Sequence, residues 1–206
     1  MRIAILVEGK TETAFKPHLL RFLHGRLSGK MPKLDMVPYD GRIPTGERLK
    51  RDVERLLRDK RRAADAVIAL SDVYTGSRPP DFEAADDAKA KMRAWVGNED
   101  RFHPHVALHD FEAWLLPFWA KIQKLAGSNK AAPGPDPEKV NHIKPPAHIL
   151  AEVYRTGQKG KSYVKARDAG RILAGENLLV SANACRELKA FLNTILKLCD
   201  EDQTIP

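Results

Sequence analysis

Ile3-Ala4-Ile5-Leu6-Val7-Glu8-Gly9-Lys10-Thr11-Glu12 is the stretch whose reading decides the fold. Five apolar residues with no polar alternation mark a strand buried on both faces, the kind found inside parallel sheets. Gly9 breaks that strand. Thr11 or Thr13 can then cap a helix whose apolar side carries Phe15, Leu19, Leu20, Leu23 and Leu27. Working outward, Leu34–Pro38 is a weaker strand, and Pro38 is unsuited to a central position. Leu49, Val53, Leu56 and Leu57 give residues 48–63 a helical period. Ala66–Leu70 is a second strongly apolar strand, ending at Ser71-Asp72, and a loop with Gly76, Pro79 and Pro80 leads to a helix over 84–96. Phe102–Leu108 reads as another strand, with His109-Asp110 opening a helix over 111–125. Strands alternating with helices predict an α/β fold, a parallel sheet flanked by helices.

Beyond residue 126 the texture changes. The Gly-, Ser-, Asn- and Pro-containing stretch 127–137 is expected to be a mobile loop, followed by helices near 147–155 and 162–174. Cys185, Leu188, Phe191, Leu192, Ile195, Leu196 and Cys199 keep the 3,4 spacing of a buried helical stripe, which makes both cysteines core residues. The expected organisation is an α/β domain over 1–126 and a helical extension over 127–206, packed as a cap on the same core.

The 206 residues carry 35 Lys+Arg against 27 Asp+Glu, a net charge of +8, and are 43% hydrophobic and 30% charged. That excludes a disordered chain, and no apolar run approaches the roughly 20 residues of a membrane span. The opening reads as a strand and lacks a signal-peptide cleavage site. Two cysteines make no disulfide framework, so a reduced, cytoplasmic protein is expected. The positive charge favours a polyanionic partner. Its densest cluster is Arg42, Arg48, Lys50, Arg51, Arg55, Arg58, Lys60, Arg61 and Arg62, interleaved with Glu47, Asp52, Glu54 and Asp59. Such a mixture is commonly a solvated helix face; the alternative is a face for nucleic acid or a protein partner.

In an open parallel sheet, ligands bind beyond the carboxyl ends of the strands. Here those ends read Val7-Glu8-Gly9, Leu70-Ser71-Asp72 and Leu108-His109-Asp110-Phe111-Glu112. Each of the three best strands therefore delivers a carboxylate to one edge, and converging hard oxygen ligands suit Mg²⁺ or Mn²⁺. Separate structural roles remain open for each: Asp110 as an N-cap, Glu112 as a first-turn acid, Glu8 as a partner for a backbone N–H.

These residues carry a resemblance. Glu8-Gly9-Lys10-Thr11-Glu12 is similar to the E-G-x-T-E opening of Toprim-like proteins, the metal-binding fold of topoisomerases, primases and several phage-defence nucleases. The fuller likeness is to the DUF4276 family of bacterial Toprim-related proteins. Asp72-Val73-Tyr74 with Pro80-Asp81-Phe82 resembles its D-x-Y segment, and His109-Asp110-Phe111-Glu112-Ala113 its H-E-F-E-A motif. Pro137-Glu138-Lys139-Val140-Asn141 resembles its P-E-x-I-N segment and Tyr163-Val164-Lys165 its Y-x-K element, in consistent order over about residues 1–200.

The resemblance implies a Toprim-like Rossmannoid sheet and metal-assisted cleavage of nucleic-acid phosphodiesters in phage defence. Glu8, Asp72 and Glu112 would be the catalytic carboxylates and, with Asp110, the ligands of Mg²⁺ or Mn²⁺; Glu8 is alternatively a general base. Lys10, Lys161 and Lys165 would meet phosphates, with Glu12, Tyr74 and His109 in support. Toprim enzymes usually carry D-x-D where this chain has Asp72-Val73-Tyr74, so one ligand is replaced and Asp110 is the candidate substitute. Tyr74 would stack on a base, orient a metal-bound water, or simply pack. A basic S-K-R-like stretch of the family is reduced to Ala147-His148-Ile149.

A different class of function also fits: a non-catalytic subunit that binds nucleic acid or an ATPase partner encoded nearby, or a regulator that binds a nucleotide without turnover. Two other constellations are weaker. His103, His105 and His109 could share a sheet face as zinc ligands, but Pro104 interrupts them. Gly157-Gln158-Lys159-Gly160-Lys161-Ser162 lacks the first glycine spacing of a phosphate loop and reads as a basic turn.

Overall fold

The computed structural model describes residues 1–73, 81–140, 144–157, 162–200 and 204–206. The elements run β1 (Arg2–Val7), α1 (Lys10–His24), β2 (Lys33–Pro38), α2 (Gly46–Arg58), β3 (Ala66–Asp72), α3 (Ala85–Val96) and β4 (Phe102–Ala107). A 3₁₀ segment (Phe111–Phe118) leads into α4 (Trp119–Ala126), a short 3₁₀ turn covers Pro137–Lys139, and α5 (Pro146–Thr156), α6 (Lys165–Leu173), α7 (Leu178–Ala184) and α8 (Arg186–Leu198) complete the chain.

All four strands are parallel, in the order β2-β1-β3-β4. Register aligns the strand ends: Val7 pairs with Pro38 on one side and Leu70 on the other, and Asp72 with Ala107. β1 and β3, the two continuous apolar runs, take the centre, where both faces are covered. Pro38 ends the edge strand β2, where its missing N–H leaves no ladder bond unmade, and Pro104 lies in the other edge strand, β4.

Each face of the sheet builds its own core. Ile3, Ile5, Val7, Ile68 and Leu70 meet α1, the 3₁₀ segment and the C-terminal helices, while Ala4, Leu6, Val67 and Ala69 meet α2 and α3. Leu188, Phe191, Leu192 and Ile195 of α8 lie in the same buried cluster as β1. Trp114 is the hub of that side, with ring centroids 5.3 Å from Phe111, 5.9 Å from Phe191 and 6.1 Å from Phe15. Truncating such a side chain typically costs about 3–5 kcal/mol. No helix among the described residues is long and apolar enough to cross a membrane.

Several element ends differ from the sequence expectation, each for a local reason. α1 is capped by Gly9, not by Thr11 or Thr13: Gly9 N donates to Glu12 Oε2 at 3.1 Å, while Thr13 Oγ1 donates back to Gly9 O at 3.0 Å. α2 stops at Arg58 because Asp59 Oδ1 accepts from the backbone N–H groups of Arg61 and Arg62, both at 2.8 Å, and so makes a turn. The helix expected over 111–125 is 3₁₀ as far as Phe118; Pro117 has no N–H to donate and its ring crowds the preceding carbonyls. α7 was missed, because Cys185 is extended (φ −123°, ψ 108°) and separates it from α8. The loop at 127–137 is tied down near its start, with Trp119 Nε1 and Gln123 Nε2 donating to Lys130 O at 2.8 and 2.9 Å. At the end of α5, a Cβ on Gly157 would stand 2.1 Å from Ala126 O, so only glycine lets α5 close on the end of α4.

Candidate functional site

Parallel pairing places the ends of β1, β3 and β4 at one edge, and the hydrogen bonds there run from strand to strand. Glu8 Oε1 accepts from Ser71 Oγ at 2.6 Å and from Asp72 N at 3.0 Å, joining the two central strands. Asp72 Oδ1 accepts from Phe111 N at 3.0 Å, which fixes the start of the 3₁₀ segment. Asp110 Oδ2 accepts from Ala147 N at 3.0 Å at the start of α5, while its buried Oδ1 has no hydrogen-bond partner. Glu112 is 1% exposed; its Oε1 faces Tyr163 Oη at 3.4 Å and Lys165 Nζ at 3.5 Å. Glu12, on the first turn of α1, is 5% exposed. A cleft of about 510 Å³ opens beside them, lined in part by Glu8, Glu12, Asp40, Asp72, Lys10 and Lys165.

Five carboxyl groups in one desolvated place repel one another, and their acidities record it. Burial first, and then the charges of Glu8, Asp110, Glu12 and Glu112, lift Asp72 well above the carboxylate range. Burial and its acidic neighbours push Glu12 up to about 7, and burial with Glu112 pushes Asp110 up to about 7. Burial also raises Glu8, against its bonds from Ser71 and Asp72 N and the charges of Arg42 and Lys165; Glu112 is raised by burial against Lys165. For Lys165, burial works to lower the pKa, but Glu112, Asp72 and Asp110 outweigh it and hold the ammonium above its ordinary value.

The strand-end carboxylates Glu8, Asp72, Asp110 and Glu112 are therefore brought together, and Glu12 joins them. Lys10 lines the cleft as an exposed residue at the start of α1. His109 is half-buried between β4 and the 3₁₀ segment. Tyr74 and Lys161 lie outside the described residues. Lys165 points among the carboxylates, with Nζ 3.5 Å from Glu112 Oε1. Sequence reasoning missed three contributors: the Ser71 hydroxyl, Tyr163 Oη on Glu112, and Arg42, whose charge reaches Glu8. Ser71 was findable as the neighbour of Asp72, and Tyr163 as the residue two before Lys165.

The donor set fits a hard divalent cation in kind: all oxygen, mutually repelling, with one buried oxygen of Asp110 left unmet. Among the described residues, however, no group of three His, Cys, Asp or Glu side chains stands placed to hold a metal ion. The carboxylates are held by hydrogen bonds and by Lys165 in the arrangement described. The histidine set gathers no zinc site among these residues either: His105 Nε2 pairs with Thr194 Oγ1 at 2.9 Å inside the core.

The model of a family described as a domain of unknown function, DUF4276, matches residues 7–196. The chain belongs to the DUF4276 family. No curated protein and no solved structure matches it. The DUF4276 span takes in all five carboxylates as well as Tyr163 and Lys165. It also takes in Glu138, which has an architectural part: its carboxylate accepts from Arg186 N at 2.8 Å and Glu187 N at 2.9 Å, closing the N-terminus of α8.

Proposed function

We infer that this DUF4276 protein is a Toprim-like, divalent-metal-dependent nuclease or phosphotransferase acting on nucleic-acid phosphodiesters, with phage defence as its setting. The observation that carries the reading is the convergence of Glu8, Asp72, Asp110 and Glu112 at the carboxyl edge of a parallel sheet, charged beyond what Lys165 and Arg42 offset. Glu8, Asp72 and Glu112, with Asp110, would hold Mg²⁺ or Mn²⁺. Such an ion, when bound, lowers the pKa of a water and neutralises charge on the phosphoryl group. Around it, the residues of the chain have definite tasks. Ser71 and the Asp72 N–H keep Glu8 turned towards β3, and Tyr163 holds Glu112. Lys10, at the mouth of the cleft, is placed to meet a phosphate oxygen. The net charge of +8 over the whole chain would draw a polyanion towards the protein despite the acidic cleft.

The second reading is a non-catalytic subunit that binds nucleic acid or an ATPase partner, and one observation favours it: no three acidic side chains among the described residues stand ready for an ion. Incubation of the full chain with plasmid, linear DNA and RNA in Mn²⁺ separates the two. Cleavage by the wild type that Glu8→Gln/Asp72→Asn lacks supports the nuclease. Nucleic-acid binding without cleavage by either protein supports the subunit, and equal cleavage by both exposes a contaminant and removes the reading.

A further inference from the structure

Lys165 is the residue of the cleft whose presence the rest of the site does not explain. It begins α6, and its side chain is 57% exposed rather than packed into the core. Yet Nζ turns to Glu112 Oε1 at 3.5 Å, and its charge is felt at Glu8, Asp110 and Asp72 as well. The local chain is built to keep it there. Val164 N donates to Asp168 Oδ2 at 2.7 Å, Arg167 pairs with the same buried carboxylate at 2.8 Å, and Tyr163 Oη reaches Glu112. The first turn of α6 is thereby pinned on both sides of Lys165, and α6 packs against α1, the helix that carries Glu12.

Each carboxylate of the cluster also has a hydrogen bond: Glu8 from Ser71 and Asp72 N, Glu12 from Gly9 N, Asp72 from Phe111 N, Asp110 from Ala147 N and Glu112 from Tyr163 Oη. The unmet Asp110 Oδ1 is the exception. With the charge of Arg42 reaching Glu8 besides, one tethered ammonium is thus set among five acidic groups, and it meets Glu112, one of the carboxylates that a divalent ion would need.

We propose that Lys165 is a built-in counter-ion that competes with the divalent cation, so that metal binding requires its ammonium to leave Glu112. The proposal rests on the metal reading of the cleft and adds that the chain's own lysine sets the affinity. Once displaced, Nζ stays on its pinned helix turn at the rim of the cleft, within reach of an incoming phosphate. Lys165 is in this sense a positioning residue, and its removal acts on metal binding before it acts on any reaction.

The test is Mn²⁺ binding to the full chain by isothermal titration and by thermal melting, for wild type, Lys165→Met and Lys165→Arg. Without metal, Lys165→Met is expected to melt below wild type, and added Mn²⁺ to raise it more than it raises wild type. Its Mn²⁺ affinity is expected to be tighter by about tenfold to a hundredfold, the effect of removing one unit charge a few ångströms from the ion in a partly screened site. Lys165→Arg keeps the charge and is expected to stay within about threefold of wild type on the same scale. Equal or weaker Mn²⁺ binding by Lys165→Met overturns the competition while leaving the metal site standing. Absence of Mn²⁺ binding by all three proteins overturns the metal reading itself, and the competition with it.

Discussion

Replacing Glu12 by glutamine tests whether the cleft truly stores charge repulsion. Glu12 is 5% exposed, and burial with its acidic neighbours lifts its pKa from an ordinary 4.5 to about 7. At about 1.4 kcal/mol per pH unit, that rise amounts to about 3 kcal/mol charged against the folded state once both states are ionised. Because the folded pKa is the higher one, the native state holds its proton longer: stability is undiminished below about pH 4.5 and falls as pH climbs to about 7. Glutamine avoids the charge and can still accept the Gly9 N–H. The hydrogen bonds that favour the carboxylate already act within that pKa. The net expectation at pH 8 in EDTA is a gain of about 2–3 kcal/mol, or roughly 4–12 °C in Tm for a chain of this size. At pH 4.5 the gain should vanish or reverse. Differential scanning calorimetry at the two pH values measures both. A glutamine variant no more stable than wild type at pH 8, or equally stabilised at both pH values, refutes the stored repulsion.

Two further expectations follow from other parts of the molecule. Glu138→Ala leaves the Arg186 and Glu187 N–H groups of α8 without their acceptor and should lower stability by about 1–3 kcal/mol, seen as a lower urea midpoint at unchanged slope; Glu138→Gln should lose less. Arg48, Arg51 and Arg58 are exposed along α2. If that helix meets nucleic-acid phosphates, the triple serine variant should flatten the slope of log affinity against log salt by about 2–3 with Tm little changed; an unaltered slope makes the helix face merely solvated.

What could be read from the sequence followed the range of the interactions. β1 and β3 declared themselves because a strand buried on both faces must be apolar at every position, and Ile3–Val7 and Ala66–Leu70 are. The edge place of β2 was legible in Pro38 alone. Once parallel pairing was granted, Glu8, Asp72, Asp110 and Glu112 had to share an edge, since each stands at or just beyond the end of a strand. The misread elements turned on interactions that no periodicity carries: Asp59 folding back on two N–H groups to end α2, Pro117 imposing 3₁₀ geometry, Cys185 leaving the helical region between α7 and α8.

Lys165 shows where such reading stops. In sequence it stands among Lys159, Lys161 and Arg167, so a basic, phosphate-facing turn was the natural expectation. Its partner Glu112 lies on another element, and only the packing of α6 on α1 and against the 3₁₀ segment brings the two to 3.5 Å. The difference changes how the net charge is understood. An acidic cleft in a chain of net charge +8 would by itself favour phosphate outside and a cation within. A lysine placed inside the cleft means that the chain itself offsets part of the carboxylate charge. On the metal reading proposed above, the affinity of this cleft for a divalent ion would be decided less by how many carboxylates converge than by how readily one ammonium lets go of Glu112.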